Sequence, residues 1–190
     1  MTNFSFEEID IKGAFIINSF FSEDNRGSFI KSYEKNIFKA NGIDFSCYES
    51  FITCSEKYVI RGMHFQLYHP QIKLVGVLSG KVFDVIIDLR KESSTFGEWR
   101  GFYLSSENRS SLLVPRGCAH GFISLSKKSV VSYQCDGRYD KETDTGIMYN
   151  DTQINVNWPI NDISNAILGA RDYNLMTFDT FKKTCDFVYE

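Results

Sequence analysis

Short apolar runs separated by turn residues dominate the chain from residue 50 to residue 136. They are found at residues 75–79, 80–88, 101–104, 111–114, 121–125 and 129–133. Many short strands with turn signals at close spacing are typical of a β-sandwich or barrel. The pattern therefore predicts an all-β fold, an antiparallel jelly roll of two sheets. Ser79 and Gly80 are expected to form a hairpin-like turn between the first two runs.

The two ends of the chain add shorter elements. They are strands at 13–17 and 28–33, a turn at 22–27, a short helix at 33–41 and a C-terminal helix at 175–187. Gly42 directly follows the first of these helices, and glycine is a common residue at such a helix end. The jelly roll is thus expected to carry short terminal helices.

Composition is consistent with this pattern and bounds the domain count. A length of 190 residues fits one domain spanning residues 1–190. Aromatic residues make up 15% of the chain, which suits a core built from strands. Neither a linker nor an internal repeat divides the sequence.

Charge and cysteine content limit the classes of binding partner and indicate the cellular compartment. The net charge is −3 with no clustered basic face, which argues against binding to nucleic acid. The five cysteines include no C-x-x-C pair and are typical of reduced thiols. The chain shows no signal-peptide pattern and no apolar stretch near the ~20 residues that span a bilayer. We therefore expect a cytoplasmic protein without membrane contact.

Candidate chemistry concentrates in the segment Arg61-Gly-Met-His64-Phe-Gln66 and in His120 and Lys73. Alternation along a strand predicts that Arg61 and Met63 face one side while Gly62 and His64 face the other. A histidine is a ready base at neutral pH, and a lysine pointing into a polar cavity can stabilise an enolate. A core histidine and a solvated strand lysine are the structural alternatives.

Two other chemistries fit the residues less well. A metal site built on His64, His69 and His120 lacks the H-x-H spacing of metal-binding barrels, and no glutamate follows before Glu92. A thiol nucleophile at Cys118 would need an extended strand to share a face with His120, and the neighbouring proline and glycine argue against one.

Several segments together resemble the dTDP-4-dehydrorhamnose 3,5-epimerase family. They are residues 61–66, 73–75, 80–90, 94–97, 115–122 and 158–159, and the resemblance runs from about residue 13 to about residue 181. It implies a cupin-like double-stranded β-helix that works without a metal or organic cofactor, usually as a homodimer. It also implies inversion of carbons 3 and 5 of a nucleotide-linked 4-keto-6-deoxy sugar of the dTDP-4-dehydro-6-deoxyglucose type.

The resemblance also assigns roles to residues. His64 would be the base, Asp172 its partner, Tyr133 the acid on the opposite face of the sugar, and Lys73 the cation that stabilises the enolate. The residues that it places around the substrate are Arg61, His120, Gln66, Arg26, Phe29, Glu49, Phe51, Arg138, Tyr139, Asp144 and Arg171.

Departures from the family pattern cluster where the nucleotide would bind. Lys31 replaces a common glutamate, Glu49 and Phe51 replace a glutamine and an asparagine, and Arg138 replaces the first tyrosine of a pair. Arg171 and Asp144 stand for a lysine and a glutamate. A GDP- or CDP-linked sugar and inversion at only one carbon therefore remain alternatives. A 3,4-ketoisomerase is disfavoured by Tyr133, and an inactive sugar-binding barrel by the retained His64 and Asp172.

Overall fold

A computed structural model of the protein describes residues 3–188, so both ends of the predicted domain, residues 1–2 and 189–190, lie outside it. The strands are β1 (Ser5–Glu8), β2 (Phe15–Asn18), β3 (Phe20–Asp24), β4 (Gly27–Lys31), β5 (Glu49–Glu56), β6 (Ile60–Gln66), β7 (Lys73–Ser79), β8 (Lys81–Asp88), β9 (Trp99–Ser105), β10 (Ser110–Val114), β11 (Cys118–Ser124), β12 (Lys128–Cys135) and β13 (Asp144–Gly146). The helices are α1 (Lys35–Ala40) and α2 (Phe178–Thr184), with 3-10 turns at Ile163–Asn165 and Asp172–Asn174.

Two antiparallel sheets form the body of the molecule. A six-stranded sheet has the order β1-β2-β10-β7-β12-β5, and a five-stranded sheet has the order β13-β6-β11-β8-β9. The burial pattern of strand β12 is typical of such a sheet. Every second residue is buried (Ser129, Val131, Tyr133 and Cys135), as expected of a strand with one face on the core. The predicted all-β jelly roll with short helices is confirmed.

Apolar side chains from both sheets meet between them. Val75 and Val131 from the six-stranded sheet pack with Ile86 and Phe122 from the five-stranded sheet. The outer faces are covered as well, one by Phe38 of α1 and the other by side chains of α2. The space between the sheets is therefore walled on both sides by well-packed layers.

The turn at Gly80 does not form the predicted hairpin. Strand β7 pairs with β10 and β12, and β8 pairs with β9 and β11. Because both edges of each strand are occupied by other partners, the turn carries the chain from one sheet to the other. Local sequence signals a turn here, but the choice of partner depends on distant strands.

The alternation predicted for β6 is also wrong. Arg61 pairs with Phe122 and His64 pairs with His120, so two residues of β6 lie opposite one residue of β11. This is the geometry of a β-bulge, which re-aims side chains. Met63 packs into the core cluster beside α2, while Arg61 and His64 both face the space between the sheets.

A glycine is required at this bulge. Gly62 has φ +138°, and a Cβ added there would lie 2.5 Å from the Cα of Gly121. The two backbones approach so closely that no larger side chain fits between them.

The terminal elements are confirmed with shifted bounds. Residues predicted as a turn at 22–27 belong largely to the β3–β4 hairpin, leaving only residues 25 and 26 between its strands. The C-terminal helix is shorter than predicted, and the Thr177 hydroxyl caps its start by accepting from the amide of Thr180 at 3.1 Å. Among residues 3–188 no helix has the length and apolar content needed to cross a membrane.

Candidate active site

A cavity of about 700 Å³ opens between the two sheets. Strands β5, β7 and β12 form one wall, β6 and β11 form the other, and residues from two later segments close the rim. The predicted site residues that line the cavity are Glu49, Phe51, Arg61, His64, Gln66, Lys73, His120, Tyr133, Tyr139, Asp144, Arg171 and Asp172. Residues far apart in the chain are therefore brought to one site.

His64 and Asp172 form a hydrogen-bonded pair on the β6 wall. Their Nε2 and Oδ1 atoms lie 2.7 Å apart, although the residues are 108 positions apart in sequence. The backbone amide of Gly62 donates to the other carboxylate oxygen at 3.3 Å. Asp172 stands at the start of a 3-10 turn, which aims its side chain back at the bulge.

The charge states of this pair follow from their surroundings. Burial lowers the pKa of His64, and this outweighs the opposite effect of Asp172. Burial alone would raise the pKa of Asp172, but its hydrogen bond with His64 holds the pKa below the usual value. At neutral pH a neutral imidazole thus donates from Nε2 to a charged carboxylate, which leaves the Nδ1 lone pair to accept a proton.

Lys73 supplies positive charge from the opposite wall. It is half-buried at the start of β7 and shares the inward face of that strand with Val75. Burial lowers its pKa, while the nearby carboxylates of Asp144 and Glu49 favour the charged form. An ammonium partly removed from water interacts more strongly with developing negative charge than one in bulk solvent does.

Tyr133 lies on the same wall, on strand β12. Its side chain is only 7% exposed, and burial raises its pKa well above the ordinary value. Its ring stacks on that of Phe51 and meets the ring of His120 edge-on. The phenol therefore keeps its proton at neutral pH and is able to donate it.

His120 has a buried partner that the sequence did not reveal. Its Nε2 lies 2.8 Å from Oδ1 of Asp84, and the two side chains are 3% and 0% exposed. The other oxygen of Asp84 is buried without a hydrogen bond to any residue in the range 3–188. The sequence did contain one indication of this partner, a carboxylate within the apolar run of β8. An aspartate is rarely buried unless it is paired.

The rim of the cavity is held by a network of polar contacts. Asp144 accepts from the Tyr139 hydroxyl at 3.0 Å and from the Arg171 guanidinium at 2.5 Å. Glu49 accepts from the Gln71 side chain at 3.1 Å and from the Tyr139 amide at 3.3 Å. Each charged group at this end therefore already has a partner within the protein.

The structure does not bring Arg26, Phe29 and Arg138 to the cavity lining of this chain. Arg26 lies at the tip of the β3–β4 hairpin, paired with Asp24 at 2.6 Å and with 84% of its side chain exposed. Phe29, on the same hairpin, is 56% exposed. The carbonyl of Arg138 accepts from Gln66 at 3.3 Å, so its backbone borders the site while its side chain does not line it.

Other lining residues were missed in the sequence. They are Thr53, Val59, Ile60, Gln71, Ile167, Leu168 and Gly169. Thr53 could have been found, since it follows Phe51 by two residues on β5 and so shares its face. Its buried hydroxyl has no hydrogen-bonding partner in the described part of the chain. The apolar residues at 167–169 carry no chemical signal.

The geometry also bears on the metal site and the Cys118 nucleophile that the sequence disfavours. Within residues 3–188, no three histidine, cysteine, aspartate or glutamate residues cluster as metal ligands. Cys118 does lie in an extended strand with His120, contrary to the expectation from its neighbours. Burial raises the pKa of its thiol to about 12, however, so it is not a thiolate at neutral pH.

Comparison with known proteins gives a consistent family. A family model described as dTDP-4-dehydrorhamnose 3,5-epimerase matches residues 8–180. The enzyme of that name from Methanothermobacter thermautotrophicus is 40% identical over 174 residues, covering 92% of this chain and 94% of the relative.

Two solved structures agree with this match. The dTDP-4-dehydrorhamnose 3,5-epimerase of Elizabethkingia anophelis superposes with a TM-score of 0.87 at 37% identity, covering 93% of this chain and 97% of that one. The dTDP-6-deoxy-D-glucose-3,5-epimerase of Legionella pneumophila, in complex with dTDP-4-keto-L-rhamnose, has a TM-score of 0.92 at 32% identity and covers 99% and 100%.

Proposed function

This chain belongs to the dTDP-4-dehydrorhamnose 3,5-epimerase family, and we propose that it inverts carbons 3 and 5 of a dTDP-linked 4-keto-6-deoxy sugar with His64 as base and Tyr133 as acid. The family, the cupin-like fold and the isomerase class expected from the sequence are confirmed. The assignment of individual residues is the part that this proposal adds.

One observation carries the residue assignment. His64 lies on the five-stranded wall of the cavity and Tyr133 on the six-stranded wall. Inversion at carbon requires that a proton leave one face of the sugar ring and arrive on the other. A base and an acid on opposite walls of one cavity have the geometry that this reaction needs.

The reaction follows from the charge states of these groups. Nδ1 of His64 takes a proton from a carbon beside the C4 ketone, and Asp172 stabilises the imidazolium that forms. Lys73 and neighbouring donors stabilise the enolate oxygen. The Tyr133 hydroxyl then donates its proton to the opposite face of the carbon. Solvent water takes the proton held by the imidazolium and returns one to the phenolate, so that both groups are restored before the second carbon reacts. Positioned general acid–base groups of this kind contribute about 10²–10⁴-fold each.

Substrate identity is proposed from the relatives. The chain matches enzymes named for dTDP-linked sugars along nearly its whole length, which favours dTDP over GDP or CDP. The polar rim formed by Glu49, Tyr139, Asp144 and Arg171 is where we place the nucleotide and its phosphates. The epimerase family also disfavours a ketoisomerase and an inactive barrel.

The proposal extends to a homodimer. The β3–β4 hairpin pairs only with itself among the described strands and exposes Phe29 and Ile30 at 56% and 46%. Arg26 and Phe29 are expected at the nucleotide yet lie outside the cavity of their own chain. Both facts are met if the hairpin of each copy reaches the cavity of the other. Sedimentation should give twice the monomer mass, and Arg26→Ala should raise KM without changing kcat.

A cytoplasmic location is part of the same proposal. All five cysteines are free thiols, which suits a reducing compartment. Fractionation of cells that produce the protein tests the location.

Hydrogen exchange tests the reaction directly. Incubation with dTDP-4-keto-6-deoxyglucose in D₂O should introduce deuterium at C3 and C5, observed by proton NMR. His64→Ala should abolish exchange at both carbons, while Tyr133→Phe should retain exchange and form little inverted product. Exchange at C3 alone would indicate a monoepimerase. Faster turnover of GDP- or CDP-linked sugars in the same assay would overturn the proposed nucleotide.

A further inference from the structure

Tyr133 is held by an aromatic neighbour on the adjacent strand. Phe51 of β5 lies directly opposite Tyr133 of β12 in the antiparallel register. The two ring centroids are 4.7 Å apart with an angle of 11° between the planes, so the rings stack nearly in parallel. Cross-strand aromatic pairs at this spacing make a favourable contact beyond the area they bury.

The remaining contacts of Tyr133 leave its hydroxyl group without another anchor. The His120 ring approaches the phenol ring edge-on, with a centroid distance of 5.8 Å and an angle of 74°. The described hydrogen bonds include none from the Tyr133 hydroxyl. The direction of the O–H group is therefore set by ring packing alone.

The Phe51 ring covers one face of the Tyr133 ring and is the more exposed of the two. Phe51 is 45% exposed whereas Tyr133 is 7% exposed, and both line the cavity. A phenol ring that tilted towards the face on which Phe51 packs would have to displace the Phe51 ring. A smaller side chain at position 51 would leave that path open.

We propose that Phe51 is a positioning residue that holds the Tyr133 phenol in place and so sets how often the enolate is inverted. The inference rests on the proposed role of Tyr133 as acid. Once His64 has taken the proton, the imidazolium exchanges it with solvent. The enolate carbon then forms its new bond either with the hydrogen on His64, which restores the starting configuration, or with the hydrogen on the Tyr133 hydroxyl, which inverts the centre. Phe51 acts on the second path only.

The partition between the two paths provides a measurement that a general structural defect would not alter selectively. In D₂O, deuterium incorporation into recovered starting sugar reports proton removal by His64, and the amount of inverted product reports donation by Tyr133. We expect Phe51→Ala to lower the ratio of inversion to incorporation about three- to tenfold, the size expected for losing one aromatic pair. At saturating substrate, the rate of incorporation should fall by a smaller factor than the ratio does.

Two further variants sharpen the test. Phe51→Tyr keeps the ring and should restore the original ratio. Ile52→Ala changes the neighbouring position, whose side chain is 59% exposed and outside the cavity lining, and should leave the ratio unchanged. In the double variant Phe51→Ala/Tyr133→Phe, the first change should add nothing to the second, because the group that Phe51 positions is already absent.

The possible failures are distinguishable. If Tyr133→Phe behaves as expected but Phe51→Ala inverts normally, or lowers inversion and incorporation equally, the positioning role is wrong and the proposed reaction stands. A raised KM with an unchanged ratio would likewise overturn it, because Phe51 would then contact the nucleotide. Normal inversion by Tyr133→Phe would show that Tyr133 is not the acid, and the positioning role of Phe51 would then be wrong as well.

Discussion

The two ends of the cavity differ in how their polar groups are held. At the chemistry end, defined here by His64, Asp172, Lys73 and Tyr133, three of the four groups lie on strands of the two sheets and Asp172 on a 3-10 turn. The nucleotide end is defined by Glu49, Tyr139, Asp144 and Arg171. Glu49 and Asp144 are the first residues of strands, whereas Tyr139 and Arg171 lie outside the strands and helices. Tyr139 and the Arg171 side chain are 53% and 46% exposed.

This difference indicates where sequence change is tolerated. Groups on packed strands with shifted pKa values have their chemistry set by burial, so a substitution there alters the reaction. Groups on an exposed rim mainly pair with each other, and such pairs contribute little when screened by solvent. Of the positions expected to depart from the family pattern, Glu49 lies on the rim and Arg138 lies outside the cavity lining, whereas Phe51 stacks on Tyr133 of the chemistry end.

The largest effect should come from removing one charge at the chemistry end. Asp172→Asn keeps the shape of the side chain but leaves the imidazolium of His64 without its counter-charge. We expect kcat to fall about 10²–10⁴-fold, measured by NMR of product formation. Asp179 lies on α2 outside the cavity lining, with its side chain 43% exposed, so Asp179→Asn is the matched control and should retain full activity. An Asp172→Asn enzyme of ordinary kcat would mean that the pair does not serve the base.

The pH dependence should come next in size. His64 acts as base only when neutral, and burial lowers its pKa from 6.5; kcat/KM should thus hold down to about pH 6.5 and decline only below it. Lys73 must be charged, and burial lowers its pKa from 10.5, so activity should decline on the alkaline side before pH 10.5.

Two substitutions separate the decline in activity at low pH (the acid limb) from the decline at high pH (the alkaline limb). Lys73→Arg retains positive charge at all accessible pH values and should remove the alkaline decline from whatever activity it keeps. Asp172→Asn removes a group that raises the pKa of His64, so its acid limb should move to lower pH. An alkaline limb that persists in Lys73→Arg would assign it to another group.

The sequence predicts local features of the fold better than features that depend on distant strands. The strands β7, β8, β10 and β12 were found within a few residues, because alternation and turn residues are local properties. The separation of β7 and β8 into two sheets was not, since it depends on which edges other strands occupy. The orientation of Arg61 was wrong for a related reason: a bulge adds one residue on one strand only.

The candidate site shows a similar limit. The resemblance supplied the pairing of His64 with Asp172, since no pattern joins residues 108 positions apart. Asp84 was missed because a single carboxylate in an apolar run does not indicate which residue it pairs with. Arg26 and Phe29 belong to a hairpin that does not line the cavity between the two sheets of its own chain, and no local sequence pattern reveals this.

A moderate effect is expected at the nucleotide end. Arg171→Gln removes a cation beside the proposed phosphate position and its hydrogen bonds to Asp144. KM should rise about tenfold, the equivalent of one charge-assisted hydrogen bond, with kcat changed by less than about threefold. Arg171→Lys keeps the charge and should give a smaller rise. A fall in kcat as large as that of Asp172→Asn would show that the two ends are not separate in function.

The smallest effect is expected at Arg138, a residue of the rim segment whose side chain does not line the cavity. Only its backbone carbonyl contacts the site, through Gln66 at 3.3 Å, and any side chain supplies that carbonyl. Arg138→Tyr should therefore change the free energy of unfolding by no more than about 0.5 kcal/mol and KM by less than about twofold, measured by urea titration and by initial rates. A tenfold rise in KM would mean that the guanidinium turns inward when the nucleotide binds, and the rim would then have to be regarded as a surface that rearranges around its ligand.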